Sequence, residues 1–368
     1  MRVLHVITGL RPGGAERQLL GIARHTEHDI EVAALASDGP IGDALREMGV
    51  PVHFIGMHSN RDPAAFWRLS ALAGGFDLVA VHLYRACVWA RPAARLGGVG
   101  TVVTTEHSIG TTMMEGRLIS PVVRGLYVAT ERYSDRTIAV SAVVRDRLVA
   151  WGVPPAKIAC VPNGIDLNSF SFDRTARRQV RAELGIGPDE RVIGSISRLV
   201  RSKRVVDLVR AARSLGHIVI VGDGPERAAI EVAGVGWKVH TLGERADVQA
   251  LLSAFDVFVA PSMPGEETFG LAALEAAASG LPVVVSACPA LDGLDCPLVR
   301  WAGHDLRADI EGALRMRRAT EPPAALDRYS IGDVVSRIDA LYRDVWGAGR
   351  GRRPRSSRIA WSSSRSAA

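Results

Sequence analysis

Two glutamates eight positions apart, Glu267 and Glu275 in "PSMPGEETFGLAALEAAASGLPVVVS", bracket the start of a helix made almost wholly of small residues. The pattern predicts a loop, a helix from about Gly270 to Ser279, a stop at Gly280 and a strand over Leu281 to Val285. At the mouth of that helix, Thr268, Phe269, Gly270 and Leu271 offer N–H groups that lack intrahelical partners. Such groups, aided by the helix dipole, hold a phosphate. With a rise of about 1.5 Å per residue, Glu275 lies deeper in the helix, within reach of a ribose behind that phosphate. Glu267 precedes the helix, where a sugar on the outer phosphate would lie. The competing reading is a capping acid and one buried, paired glutamate.

Other residues offer related chemistry. In "GSISRLVRSKRVVDLVRA", Arg198 and Lys203 follow a strand and precede a helix starting at about Arg204. Two cations there suit a diphosphate, since they neutralise charge on a departing phosphate; loops also carry such residues for solubility. In "TGLRPGGAERQLL", Gly13 and Gly14 open an amphipathic helix, so backbone N–H groups can approach an anion or a sugar. A tight turn without ligand would look the same. "VIVGDGPER" has Gly222 and Gly224 but Arg227 where a dinucleotide fingerprint needs a third glycine, which disfavours NAD. No GxxxxGK[ST] loop and no DxD motif occurs, so neither ATP hydrolysis nor a DxD-held metal is expected, and no metal site is assigned. Cys87, Cys160, Cys288 and Cys296 show no zinc-like spacing and read as reduced core thiols.

The chain has 368 residues and a formal charge of +6, but six arginines (Arg350, Arg352, Arg353, Arg355, Arg358 and Arg365) fall after Trp346 with no acid among them. The body is therefore neutral, and no nucleic-acid partner is expected. The Gly/Arg/Ser-rich tail reads as unstructured and solvated, with contact to anionic lipid as the alternative. "MRVLHVITGL" is too short and too strand-like for a signal peptide, and no apolar run reaches the ~18 residues of a membrane span. The expected location is the cytoplasm.

What must position these residues is a repeating βα pattern. Apolar runs at Val3 to Ile7, Ile30 to Leu35, Val52 to Ile55, Leu78 to Val81, Val102 to Thr105 and Thr137 to Val140 alternate with helical patterns. A second series follows at Val192 to Ser195, Ile218 to Val221, Val239 to Leu242, Val257 to Ala260 and Leu281 to Val285. The length suits two cores. The expected fold is α/β: two doubly wound, Rossmann-like domains over residues 1–172 and 173–329. A helix over 330–346 crosses back to the first domain, and a tail follows over 347–368. Ligands of such sheets bind beyond the carboxyl ends of the strands, hence in the cleft between the domains.

In order along the chain, "GLRPGGAERQLL", "TTEHS", "AVSAVVRDRLVAWGVPPAKIACVPNGID", "SRLVRSKR", "VGDGPER" and "ETFGLAALE" resemble a GT-B glycosyltransferase of family 4, over nearly the full length. The resemblance implies a retaining, metal-independent transferase with a nucleotide-diphosphate sugar as co-substrate and no other cofactor. It puts Glu275 on the ribose, Glu267 on the donor sugar, the amides of 269–271 on the diphosphate, and Arg198 and Lys203 on the leaving group. His107, in "TTEHS", would face the donor sugar from across the cleft, with Gly13, Gly14, Gly222 and Thr268 on the nucleotide-sugar side. Retention would follow from attack on the leaving-group face, the diphosphate taking the acceptor's proton. The family usually has Gly where Thr268 stands, and a longer Gly-rich stretch where this chain reads "SACPALDGLDCPL". Residues 111–132, apolar with Arg117 and Arg124 interspersed, match the acceptor-handling region; they read as a buried core helix or as peripheral contact with the inner face of the cell membrane. The expected reaction moves a hexose or N-acetylhexosamine, from UDP in preference, to a hydroxyl of a lipid-linked glycan, lipid or small natural product. A sugar-nucleotide epimerase and a non-catalytic sugar-nucleotide-binding partner are the alternatives.

Overall fold

Strand β1 (Arg2–Gly9) buries Val3, Leu4, Val6 and Ile7 on both its faces at once, as a strand covered by helices on each side must. The computed structural model, which describes residues 1–59, 62–115 and 117–350, builds outward from such strands. β2 (Asp29–Ser37), β3 (Val52–Phe54), β4 (Leu78–His82) and β5 (Thr101–Glu106) follow β1. A small hairpin, β6 (Met113–Met114) and β7 (Arg117–Leu118), precedes β8 (Arg136–Ala139) and β9 (Ile158–Cys160). The seven long-range partners form one parallel sheet in the order β3-β2-β1-β4-β5-β8-β9. A second parallel sheet contains β10 (Val192–Ile196), β11 (His217–Val221), β12 (Val239–Thr241), β13 (Val257–Ala260), β14 (Val283–Val285) and β15 (Val299–Trp301). Its order is β12-β11-β10-β13-β14-β15. In both sheets the order reverses beside the first strand, which opens a crevice at the carboxyl edge.

Strands β9 and β15 and the β6–β7 hairpin go beyond the predicted elements. β9 and β15 are three-residue edge strands, only partly buried, so their hydrophobic signal is weak. Residues 111–132 are not one buried helix: the hairpin is followed by the helix Pro121–Glu131, whose start Ser120 caps through Val123 N–H. Leu118, Val122 and Leu126 are 72%, 69% and 46% exposed, while Met114 and Tyr127 turn inward.

The chain passes out of the first sheet through residues 161–166 and returns beside that segment. Ile165 N–H donates to Tyr329 O, and Ile331 N–H to Ile165 O. Gln18 pins the outgoing strand with a pair of hydrogen bonds to Gly164, 2.7 and 2.8 Å long. The final helix then runs Ile331–Arg350, past Trp346, and buries Val334, Val335, Ile338 and Tyr342 against Val3, Ile22, Leu78 and Val103 of the first sheet's layer. The expected tail beyond it lies outside the described residues. All four cysteines are free; Cys87, Cys288 and Cys296 are buried, but Cys160, expected in a core, is exposed on edge strand β9. No helix among the described residues is long and apolar enough to cross a membrane.

Candidate functional site

The carboxyl edges of the two sheets face each other across a cleft of about 490 Å³. Its second-sheet wall follows from local geometry. Gly270 adopts φ +91°, which an L side chain resists, and a Cβ there would come within 2.4 Å of Cys288 Sγ. The turn this permits starts the helix Leu271–Ala278 with no side chain capping its N-terminus, so its mouth opens into the cleft. Thr268, Phe269, Gly270 and Leu271 all line that opening, beside Arg198, Lys203 and Glu267.

Not every group there is free. Lys203 Nζ donates to Glu267 Oε2 at 2.6 Å and Ser262 Oγ to the same oxygen at 3.1 Å. Burial pushes the Glu267 carboxyl up, but Lys203, Ser262 and the Phe269 N–H together pull harder and leave it below the ordinary range. The Phe269 N–H, expected to be open to a phosphate, therefore serves Glu267 in this structure. Thr268 Oγ1 donates to His107 O at 2.8 Å, and Thr268 O accepts from Ser141 Oγ at 2.7 Å, so this residue ties the lobes together. Nearby, Thr111 N–H donates to Gly265 O, Thr112 to Glu266 Oε1, and Arg147 to both Ile109 O and Gly265 O. Arg198 is exposed and has no ion pair among the described residues.

Two predicted residues stand behind the wall. Glu275 is only 6% exposed and does not line the cleft; burial pushes its carboxyl up to about 7, opposed by Arg17 from the first helix. Gly222 is a backbone crossing. At φ +124° its missing Cβ would sit 1.9 Å from Ser197 O, and its N–H donates to Gly243 O at 2.7 Å. It supports the loop that carries Ser197 and Arg198, and it does not reach the cleft.

The first-sheet wall begins where β1 ends. Neither Gly13, with φ −163°, nor Gly14 has the positive φ of a glycine turn. A Cβ on Gly13 would meet Glu16 Oε2 at 2.3 Å, whereas a Cβ on Gly14 would meet nothing within 4 Å. Gly13 is thus explained by Glu16 folding back over it, while Gly14 lines the cleft with open space at its Cβ position. His107 follows β5 and lines the cleft, and burial lowers its imidazole to about 4 against a smaller pull from Asn163.

Beside His107, which the sequence already pointed to, the structure adds residues that sequence reasoning missed. Thr8 Oγ1, His107 Nδ1, Ser108 Oγ and Ser197 Oγ are buried, lack a hydrogen-bond partner among the described residues, and belong to cleft-lining residues. Buried polar atoms without partners are rare, and four of them belong to residues around this one cavity. Glu16 and Glu115 also line the first-sheet wall. Burial raises both carboxyls, with Arg198 opposing at Glu16, and Glu115 reaches about 8 with Glu106 adding to the rise. Asn163, which reads as part of a turn in "VPNGID", lines the cleft too. The only advance signal for Glu16 is its place in "GGAER". Glu27, His28 and Asp339 are close enough to share a metal ion, but none of them lines the cleft.

The model of Glycosyltransferase Family 4 matches residues 12–169, and that of Glycosyl transferases group 1 matches residues 190–300. The chain is 29% identical over 225 residues to an Escherichia coli protein named UDP-Gal:alpha-D-GlcNAc-diphosphoundecaprenol alpha-1,3-galactosyltransferase, covering 57% of this chain and 58% of that one. It is 29% identical over 289 residues to a GDP-mannose-dependent alpha-(1-6)-phosphatidylinositol monomannoside mannosyltransferase of Mycolicibacterium smegmatis, covering 69% and 74%. The fold superposes on the Anabaena protein Alr3699/HepE, solved in complex with UDP and glucose. The TM-score is 0.80 and the identity 22%, covering 94% of this chain and 100% of that one. The chain belongs to glycosyltransferase family 4 and is a glycosyltransferase of the GT-B fold.

Proposed function

We propose that the cleft transfers a hexose or N-acetylhexosamine, with retention, from a nucleotide-diphosphate sugar to an acceptor hydroxyl. The observation that carries this reading is the meeting of an uncapped helix mouth, the unpaired Arg198 and four unpartnered polar atoms in a single cleft. The diphosphate lies at the Gly270–Leu271 amides, where the helix dipole and Arg198 stabilise the negative charge that grows as the anomeric bond breaks. The sugar lies toward Glu267 and His107, and the acceptor enters from the first-sheet side. The diphosphate accepts the acceptor's proton, so no enzymic carboxylate becomes a nucleophile and no metal is required.

A UDP-sugar is the favoured donor, in line with the named substrate of the Escherichia coli relative, although the Mycolicibacterium relative is named for GDP-mannose. Both relatives are named for lipid-linked acceptors, which favours such an acceptor here. The exposed Leu118, Val122 and Leu126 beside Arg124 would meet its membrane from the cytoplasmic side. A panel of UDP-, GDP- and dTDP-sugars, read by thermal stabilisation and then by release of the nucleotide, tests the reading. UDP-sugars should raise the melting temperature and be turned over; stabilisation by none of the panel would refute it.

A further inference from the structure

Three histidines stand in a row through the first sheet. His5 lies in the middle of β1, His82 ends β4 and His107 follows β5; these strands are neighbours in the sheet, in that order. The register pairs His5 with Ala80 and His82 with Thr105, so each ring stands two residues nearer the carboxyl edge than the one before. The row thus climbs from the core to the cleft. His5 Nδ1 is 2.9 Å from His82 Nε2, and His82 Nδ1 is 3.3 Å from His107 Nε2. The rings are nearly parallel, tilted by 17° and 29°. All three are buried, and burial lowers each imidazole, His5 to about 3 and His107 to about 4, so the row is neutral at pH 7.

Three neutral imidazoles carry three ring protons, and two of these lie in the two hydrogen bonds. Only two orderly arrangements remain. With every proton on Nε2, the spare N–H is that of His5, whose Nε2 is buried without a partner among the described residues. With every proton on Nδ1, His5 donates to His82 and His82 to His107, and the spare N–H is that of His107 at the cleft. A buried orphan donor is rarer than an unmatched acceptor, and it carries the full desolvation penalty. The second arrangement leaves a bare lone pair in the core and puts the unpartnered N–H at His107, which is buried as well but lines the cleft, where a ligand can accept from it.

We infer that His82, backed by His5, is a positioning residue that holds His107 as the neutral Nδ1–H tautomer, so that its N–H donates to an oxygen of the ligand in the cleft. The bond one ring nitrogen makes decides where the proton of the other sits, and here that choice is made two strands away. The inference rests on the proposed transferase reading only for the identity of that ligand.

The test begins with the unliganded wild-type chain, in which two-bond 1H–15N spectra at pH 7 report the protonated nitrogen of each histidine. All three rings should be Nδ1–H; an Nε2–H or doubly protonated His107 would overturn the inference. His82→Phe keeps the packing and removes the bond, and His107 should then show a mixture of tautomers. A His107 that stays wholly Nδ1–H in this variant sinks the positioning role. Where the wild type hydrolyses UDP-glucose, UDP-galactose or GDP-mannose, His82→Phe should lower kcat/KM about ten- to a hundredfold, the scale on which losing an orienting partner costs activity elsewhere. Its Kd for the free nucleotide should stay within about twofold, because the ring faces the sugar; an unchanged kcat/KM would count against the inference. If the wild type turns over none of the three donors, the transferase reading is in difficulty, while the tautomer spectra still decide this one.

Discussion

Lys203 and Glu267 form one ion pair at 2.6 Å, so the cleft presents an ammonium already neutralised by its neighbour, whereas the guanidinium of Arg198 on the same wall has no ion pair among the described residues. The two side chains come from different loops of the second sheet and are 22% and 12% exposed. A pair so shielded is tightly coupled, because removing one member leaves the other charged and largely buried.

A double-mutant cycle should show this coupling. Lys203→Met and Glu267→Gln should each lower kcat by about 10²–10³-fold, the range for removing one preorganised donor. The double variant should fall well short of the product of the two effects. Strict multiplicativity, measured as initial rates of nucleotide release, would mean that the two groups act separately.

Arg198 is expected to act on charge and not on folding. Arg198→Ala should lower kcat by about 10²-fold or more while the melting temperature stays near that of the wild type, since the side chain is exposed and unpaired. A fall in melting temperature equal to that of a core substitution would assign it a structural role.

A ribose bound at Glu275 would make donor binding dependent on pH. Burial holds its free carboxyl near 7. If ribose hydroxyls donate to the carboxylate, binding lowers that value and releases a proton. Affinity is then full above pH 7 and falls as pH drops from 7 toward the bound value, by up to about tenfold per unit. Calorimetry of UDP between pH 6 and 8 measures the slope; a flat profile would remove Glu275 from the ribose. Glu275→Gln should flatten the profile.

Gly14 separates packing from binding. A Cβ placed there meets no atom within 4 Å beyond its chain neighbours and its own helix backbone, so Gly14→Ala should fold with an unchanged melting temperature. If the donor occupies the open space beside Gly14, the added methyl should weaken binding of the favoured UDP-sugar about tenfold or more, roughly the 1.4 kcal/mol that a modest overpacking costs. Gly13→Ala is expected to lower stability instead, because it collides with the Glu16 carboxylate.

The proposed route uses no metal. Nucleotide release should survive EDTA, and complete loss restored by Mn²⁺ would contradict the role given to Arg198 and the helix mouth.

Much of this could be read along the chain because it is local. Continuous apolar runs in buried strands, a period of 3.6 in the helices, and a glycine before a run of Leu, Ala and Glu each act over a few neighbours, so Gly270, Leu271 and the strands from Val192 to Val285 are legible in order. The edge strands β9 and β15 are not, since three half-buried residues carry little pattern. What only the tertiary structure decided is which distant residues meet. Thr268 is a side chain at a helix mouth until the lobes close and give it His107 O; Gly222 looks like a ligand glycine until the Ser197 carbonyl is seen above it. The histidine row requires β1, β4 and β5 to be neighbours, an order of strands that differs from their order in the chain. Hydrophobic periodicity says which face of a strand is buried, but nothing about which strand lies beside it. Pairing is settled by the crossover connections and by the packing of whole layers, and the meetings that make the site follow from it.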